Sequence, residues 1–260
     1  MIRRLRAILV PALAVATLVA ACGGSVPGPA LTDPTAIVTA ALKSTESAKS
    51  VHLDVVVDGS ATVALPIGGG TGTPVDLTGT TASADIDFTK PAAKATFSLN
   101  VGLTVNGEVI AVGGKSYVKT TLTGPLYQES AGGSIPVDPS NAGGIIDTLG
   151  DLLLKPGVVL VKGDDVACGS KQCYTVTADL TAEQLGLPAG GIAGMPVDVA
   201  GATLKLTIRV EKDLPYHLAG IGAVLSMANA TSLRLELTAS KWDEPVSIEP
   251  PPADQVKPAS

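Results

Sequence analysis

"ATFSLNVGLTVNGEVIAVGGKSYVKT", residues 95–120, decides the fold class. Its first eleven residues alternate without a break. Ala95, Phe97, Leu99, Val101, Leu103 and Val105 occupy one side, and Thr96, Ser98, Asn100, Gly102 and Thr104 the other. A period of two marks a strand half-buried in a sheet, because successive side chains point to opposite faces. Asn106-Gly107 carries the signal of a type I′ hairpin. "EVIAV" then returns, Gly113-Gly114 turns again, and "KSYVKT" runs back. The stretch predicts a β-meander.

The same period recurs on both sides of it. "VHLDVVVDG", from residue 51, sets Val51, Leu53, Val55 and Val57 against His52, Asp54 and Asp58. "ADIDF", residues 84–88, alternates likewise. "ATLKLTIRVEKD" sets Leu204, Leu206, Ile208 and Val210 against Lys205, Thr207, Arg209 and Glu211. "SLRLELTAS" repeats this with Leu233, Leu235 and Leu237. Helices are few. Asp33-Pro34 reads as an N-cap with Pro at the first helical position, and Ile37, Val38, Ala41 and Leu42 follow at helical spacing, predicting a helix over about 34–49. "DPSNAGGIIDTLGDLLLKPG" predicts a second, capped at Asp138 or Ser140, with Ile145, Ile146, Leu149, Leu152 and Leu153 on its apolar face. "TAEQLGL", residues 181–187, suggests a short third.

Strands with one apolar and one polar face belong to antiparallel sheets covered on one side. Two or three helices must fill the concave side of a broad curved sheet, or leave an apolar hollow there. The alternative is a compact sandwich with a filled core. The hydrophobic fraction is 45% but aromatics are only 3%. Any large apolar surface is therefore smooth and aliphatic, which suits acyl chains.

The N-terminus carries an export signal. Arg3, Arg4 and Arg6 precede an apolar run from Ala7 to Ala21. Such a run spans about 22 Å as a helix, short of the ~30 Å hydrocarbon core, so a signal peptide over 1–21 is favoured over a permanent span. It ends Val19-Ala20-Ala21-Cys22, which resembles a bacterial lipobox, with Cys22 to be acylated and the chain cut just before it. Residues 22–32, with Gly23, Gly24, Pro27 and Pro29, read as a flexible tether, residues 33–245 as one folded domain and the Pro-rich 246–260 as a disordered tail. Two cysteines remain, Cys168 and Cys173. They flank the hairpin turn "GSKQ", so a cross-strand disulfide is geometrically reasonable. Without clustered His or carboxylates they make a poor zinc site.

Charge excludes other classes. The 260 residues carry 18 basic and 24 acidic side chains; removing 1–21, with three Arg and no acid, leaves 15 basic and a net of −9. That argues against nucleic acid and against a polybasic membrane patch. An enzyme is poorly supported. The histidines are His52, on the polar face of a strand, and His217, in a turn, and neither has a G-x-S-x-G motif nearby. "PIGGGTGTP", residues 66–74, lacks the Lys of a phosphate loop and reads as a mobile loop at the mouth of any cavity. Asp85 and Asp87 read as solvated carboxylates, and "NAT", residues 229–231, as a turn.

Taken in chain order, the lipobox "VAAC", the opening "DPTAIVTAALKSTESAKSVHLDV", the meander with "GKSYVKT", the helix around "DPSNAGGIIDTLGDLL" and the later "TLKLTIRVEKDLPYHLAGI" resemble the mycobacterial LppX/LprAFG lipoproteins, with the LprA/LprF branch nearest. The resemblance implies an α+β fold: a single antiparallel half-barrel, similar to the carriers LolA and LolB, with helices on its concave face enclosing an apolar cavity. It implies acylated envelope glycolipids or other long-chain lipids as cargo, such as acylated phosphatidylinositol mannosides or phthiocerol dimycocerosate. It also implies anchorage on the extracytoplasmic face of the cell membrane with partial release, and a major-facilitator transporter as partner. No catalytic residue, metal or cofactor carries over. Phe97, Leu99, Val101, Leu103, Leu206 and Ile208 are the candidate cavity lining. The competing expectation is a structural or Toll-like-receptor-stimulating lipoprotein without lipid cargo.

Overall fold

The computed structural model describes residues 26–63, 73–131, 142–185, 201–227 and 232–257. In chain order they form β1 (Val26–Pro27), α1 (Pro34–Glu46), β2 (Ser50–Val63), β3 (Thr73–Asp76), β4 (Thr80–Asp87), β5 (Ala92–Asn100), β6 (Thr104–Val112), β7 (Lys115–Thr120) and β8 (Gln128–Ala131). Then come α2 (Ala142–Leu153), β9 (Leu160–Lys162), β10 (Val166–Cys168), β11 (Lys171–Thr181), β12 (Thr203–Glu211), β13 (Asp213–Leu214), β14 (Leu218–Ser226) and β15 (Ser232–Ser240). One large sheet runs β10-β11-β12-β14-β15-β2-β4-β5-β6-β7-β8, with β9 added on β11 and β3 on the end of β2. Every neighbouring pair in it is antiparallel. Among the described residues its two ends do not pair, so it is open rather than a closed barrel.

The core sits under the helices on one half of this sheet. Asp33 caps α1 by accepting from the Ala36 amide at 2.7 Å. Ile37, Val38 and Ala41 of α1 and Leu153 of α2 then bury against Tyr174, Val176, Ala178 and Leu180 of β11 and Leu206, Ile208 and Val210 of β12. Each large aliphatic chain taken fully out of water there contributes about 1.5–3 kcal/mol. Leu42 of α1 meets α2 at Gly150, where a Cβ would stand 3.2 Å from a Leu42 methyl. The glycine thus lets the two helices pack closely.

A polar contact fixes where α1 ends. Ser44 Oγ lies 2.9 Å from His217 Nδ1, and both residues are buried. The His217 ring stacks on Trp242 with centroids 4.9 Å apart, and the indole N–H donates to the Leu218 carbonyl at 3.0 Å. Burial pushes the His217 imidazole below its ordinary value near 6.5; the nearby Glu211 and Asp243 carboxylates oppose this only in part.

The structure departs from the sequence expectations in four places. The first hairpin turns at Val101–Leu103, not at Asn106-Gly107. Asn100 pairs with Thr104, and Gly102 supplies the positive φ of 83°. Gly107 lies inside β6 opposite Phe97, whose ring occupies the space a Cβ would need. Filling that gap with an aromatic ring outweighs the local turn preference of Asn-Gly. Next, residues 181–185 make a single turn rather than a helix. Gln184 and Thr181 exchange side chain–backbone hydrogen bonds, and Leu185 N–H bonds the Thr181 carbonyl at 3.0 Å.

The third departure is the tether, which is docked from Val26 onward: β1 pairs with β13, and Tyr216 OH donates to the Pro29 carbonyl at 2.8 Å. The last is the tail, which is ordered to Lys257. Ile248 and Val256 cover Ile110, Tyr117 and Tyr127, an apolar patch on the otherwise polar face of the sheet. The Tyr127 amide bonds the Gln255 carbonyl at 2.8 Å. Proline in this tail costs little, because the segment forms one isolated bridge, at Val256, and needs few of its own N–H groups. The caps expected at Asp138 or Ser140, most of the loop at 66–74 and the turn at 229–231 lie outside the described residues.

Cys168 and Cys173 are joined, with Cα atoms 5.9 Å apart, across the β10–β11 hairpin. Replacing both by Ser should lower the unfolding free energy by roughly 2 kcal/mol, the loop-closure value for so short a ring, as read by urea denaturation with and without the bond. His217 gives a pH dependence. Its folded value is lowered, so the unfolded chain takes up the proton first as pH falls. Stability should therefore drop as pH falls from just above 6.5 and level off once the folded imidazole also protonates. H217Q, followed by urea unfolding across that range, should show a flatter slope than the parent.

Candidate functional site

Side-chain alternation and register together place a continuous apolar row across the sheet. Val176 pairs with Ile208, Ile208 with Ile221, Ile221 with Leu237, Leu237 with Val55, Val55 with Ala82, and Ala82 with Phe97. The neighbouring row runs Ala178, Leu206, Ala223, Leu235, Val57 and Thr80, and Leu99 lies two residues beyond Phe97 on the same side of β5. Directly opposed residues in a ladder point to the same face, so these rows share one surface.

That surface is covered unequally. α1 packs on β9, β11, β12 and β14, and α2 packs on α1. Val176, Ala178, Leu206 and Ile208 are accordingly buried. From Ile221 onward the same rows are only half-buried: Leu235, Leu237, Val55, Val57, Ala82, Phe97 and Leu99 all keep part of their surface accessible. At the strand ends nearest β13, Phe88 and Trp242 pack on Val51, Ile86 and Ala239 and close the face there. The result is an aliphatic surface over β15, β2, β4 and β5, bordered by the helices on one side and by aromatic rings at one end.

The six sequence-derived lining positions separate into three groups. Phe97 and Leu99 lie on the half-buried surface. Leu206 and Ile208 are core beneath the helices, because β12 lies in the covered half. Val101 and Leu103 form the tip of the β5–β6 hairpin, Leu103 being 53% exposed, since the turn falls there. Sequence reasoning missed Val55, Val57, Leu235 and Leu237. Their alternation was visible, but which strands the helices leave open was not. Cys22 lies outside the described residues.

The opposite face is polar and ion-paired. Lys94 and Lys119 both reach Glu108, at 3.0 and 3.3 Å. Burial alone would raise the Glu108 carboxyl, but hydrogen bonds from Lys94, Tyr127 and Lys119 outweigh it and hold the group below the usual carboxylate range. A groove of about 770 Å³ lies at the strand ends near the disulfide, with Lys171, Arg209, Glu211, Glu236 and Trp242 among its lining residues. Its charged walls do not suit acyl chains. Two of the ion pairs in it, Lys171–Glu211 and Arg209–Glu236, are internal to the fold.

One group on the polar face has the order of a nucleophilic triad. Asp85 Oδ1 is 2.6 Å from His52 Nδ1, and Ser83 Oγ is 3.4 Å from His52 Nε2. Asp54 Oδ2 stands at the same 3.4 Å from Nε2 and competes with the hydroxyl. β4 is bonded by β2 on one side and β5 on the other, so its amides are committed to the ladders and cannot form an oxyanion hole. Ser83 also lacks the strained turn that exposes such a nucleophile. Among the described residues no group of three or more His, Cys, Asp or Glu is placed to hold a metal ion, and no helix is long and apolar enough to cross a membrane.

Comparison with known proteins agrees with an open sheet of this kind. The LprF lipoprotein of Mycobacterium bovis superposes with a TM-score of 0.56 at 19% identity, covering 88% of this chain and 99% of that one. LppX of Mycobacterium tuberculosis superposes with a TM-score of 0.51 at 22% identity, covering 84% and 100%. At these identities the likeness concerns the fold alone. Comparison with curated protein sequences gives no match. The family model described as LppX_LprAFG lipoprotein matches residues 33–248, most of the chain, and the protein belongs to that family.

Proposed function

We propose that this protein is a cell-envelope lipoprotein that holds the acyl chains of a long-chain lipid, an acylated glycolipid being the leading class, against the half-buried surface of β15, β2, β4 and β5. It carries that lipid between the inner membrane and the outer envelope. The carrying observation is the break in burial along a single row. Val176 and Ile208 are sealed by helices, whereas Leu237, Val55, Ala82 and Phe97, in register with them, are not. An acyl chain laid on such a surface gains ~0.8 kcal/mol per CH₂ buried. A ten-carbon stretch would therefore supply about 8 kcal/mol before the cost of ordering it. Among the described residues the wall is mainly aliphatic, with the Thr80 hydroxyl already accepting from the Asn100 amide, so it suits chains of varied structure.

In this reading Cys22 carries the acyl anchor on the extracytoplasmic face, and a fraction of the protein leaves the membrane. A major-facilitator transporter is the partner that would deliver the lipid. No catalytic step is needed. The triad-like order of Ser83, His52 and Asp85 favours a hydrolase as second reading, with the missing oxyanion donors against it. A cargo-free structural or receptor-stimulating lipoprotein is the third.

Native mass spectrometry of the protein purified from a mycobacterial host, followed by solvent extraction, should find a stoichiometric, multiply acylated lipid. A bare mass that persists after incubation with envelope lipids would remove the carrier reading. S83A and H52A should retain the full lipid load and leave hydrolysis of short and long p-nitrophenyl esters at the background rate; a loss of ester hydrolysis in S83A would favour the enzyme. Two leucines separate core from site. In delipidated protein, Leu206→Ala should cost about 2–5 kcal/mol in urea unfolding, while Leu235→Ala should cost about 1 kcal/mol. With lipid present, Leu235→Ala should lower retained cargo although the variant is the better folded of the two.

A further inference from the structure

The docked start of the chain fixes one end of the domain. Val26 pairs with Leu214 and Pro27 with Asp213. Beyond them Gly28 N–H bonds the Lys212 carbonyl at 3.3 Å, Tyr216 OH bonds the Pro29 carbonyl, and Leu31 N–H donates to Tyr174 OH at 3.0 Å. At Gly28 the Tyr216 ring fills the place of a side chain, so the strand lies flat on this corner. Four Cα steps separate Val26 from Cys22, a reach of at most about 14 Å. A headgroup layer is about 6 Å deep on each side of the hydrocarbon. An acyl group on Cys22 would thus hold this corner at or just above the membrane surface.

The corner carries apolar side chains that no core explains. Val26 is 61% exposed and its cross-strand partner Leu214 is 45% exposed. Val166, 36% exposed on β10, precedes Ala167 and Cys168, which line the strand-end groove together with Leu214. The lysines of this corner are ion-paired within the fold: Lys171 with Glu211, and Lys162 and Lys212 both with Asp165. The exposed apolar residues at the other ends of the strands, Leu103 and Leu122, stand about 27 Å away along the strand direction.

We propose that the strand-end corner formed by Val26, Leu214 and Val166 is the face this protein sets against a lipid bilayer, with those three side chains at headgroup level. The proposal rests on acylation of Cys22 in the reading above. Apolar contact rather than charge holds the face, so docking should be insensitive to salt and to the fraction of anionic lipid. The hairpin tips at Leu103 and Leu122 then point away from the anchoring membrane.

Brominated phospholipids test this, because they quench tryptophan emission only at close range. The full chain is expressed in a host that processes lipoproteins, and its intact mass establishes the acyl group on Cys22. It is then reconstituted on phosphatidylcholine vesicles with and without brominated lipid. L214W and V166W report on the corner and L122W on the far tip, each measured against the parent, whose Trp242 gives the common background; two corner positions guard against one variant misfolding. The added emission of L214W and V166W should be largely lost on brominated vesicles, at low and high salt alike, and that of L122W retained. Quenching of L122W, or no quenching at either corner position in protein of the acylated mass, would overturn the proposed face while leaving the lipoprotein reading intact. An intact mass without acyl groups, with the protein failing to sediment with vesicles, would remove the anchor and the face together.

Discussion

An antiparallel sheet sends every second side chain to the same face, and here that face is apolar across nearly its whole width. Eleven strands in a row at a spacing of about 4.8 Å make a surface close to 48 Å wide. The described helices have 13 and 12 residues, or about 20 and 18 Å of length, and each is about 10 Å across. Lying together they cover about 20 Å of that width. The strands in contact with α1 are β9, β11, β12 and β14, all in one half of the sheet. Among the described residues, cover therefore falls short over β15, β2, β4 and β5, and the proposed cargo would occupy that surface.

Polar and ring contacts tie down both ends of α1 on the covered half. α1 is held at its start by the Asp33 cap and at its end by Ser44 against His217, which stacks on Trp242. Trp242 also packs on the open half with Phe88, so the same indole ties the helix end to the floor of the uncovered surface. Loss of any one of these groups would be felt on both sides.

Most of the sheet was legible from alternation alone. The strands around 51–59, 84–88, 203–211 and 232–240 follow from period two, and α1 follows from Asp33-Pro34 and the spacing of Ile37, Val38 and Ala41. Register was less legible. Asn106-Gly107 looked like a turn, but the glycine was needed beneath the Phe97 ring, a demand set by the neighbouring strand. The candidate lining was half legible for the same kind of reason. Leu206 and Leu235 have the same local pattern and face the same side, and only the tertiary placement of α1 makes one core and the other surface. The tether and the tail were misread because proline and glycine signal the absence of regular structure and say nothing about docking onto another strand.

The returning C-terminal segment has a consequence for solubility. An open sheet ends in strands with unpaired peptide groups, and such borders recruit other chains. β8 forms one border of this sheet. Val256 bridges Tyr127 beside it in parallel, with hydrogen bonds of 2.8 Å from the Tyr127 amide to Gln255 and from the Lys257 amide to Tyr127. The prolines at 250–252 bring few donors of their own to that added layer. The other border is the three-residue β10, too short to template much pairing. Among the described residues, the tail at Tyr127 and the shortness of β10 thus limit the backbone through which two copies could zip together.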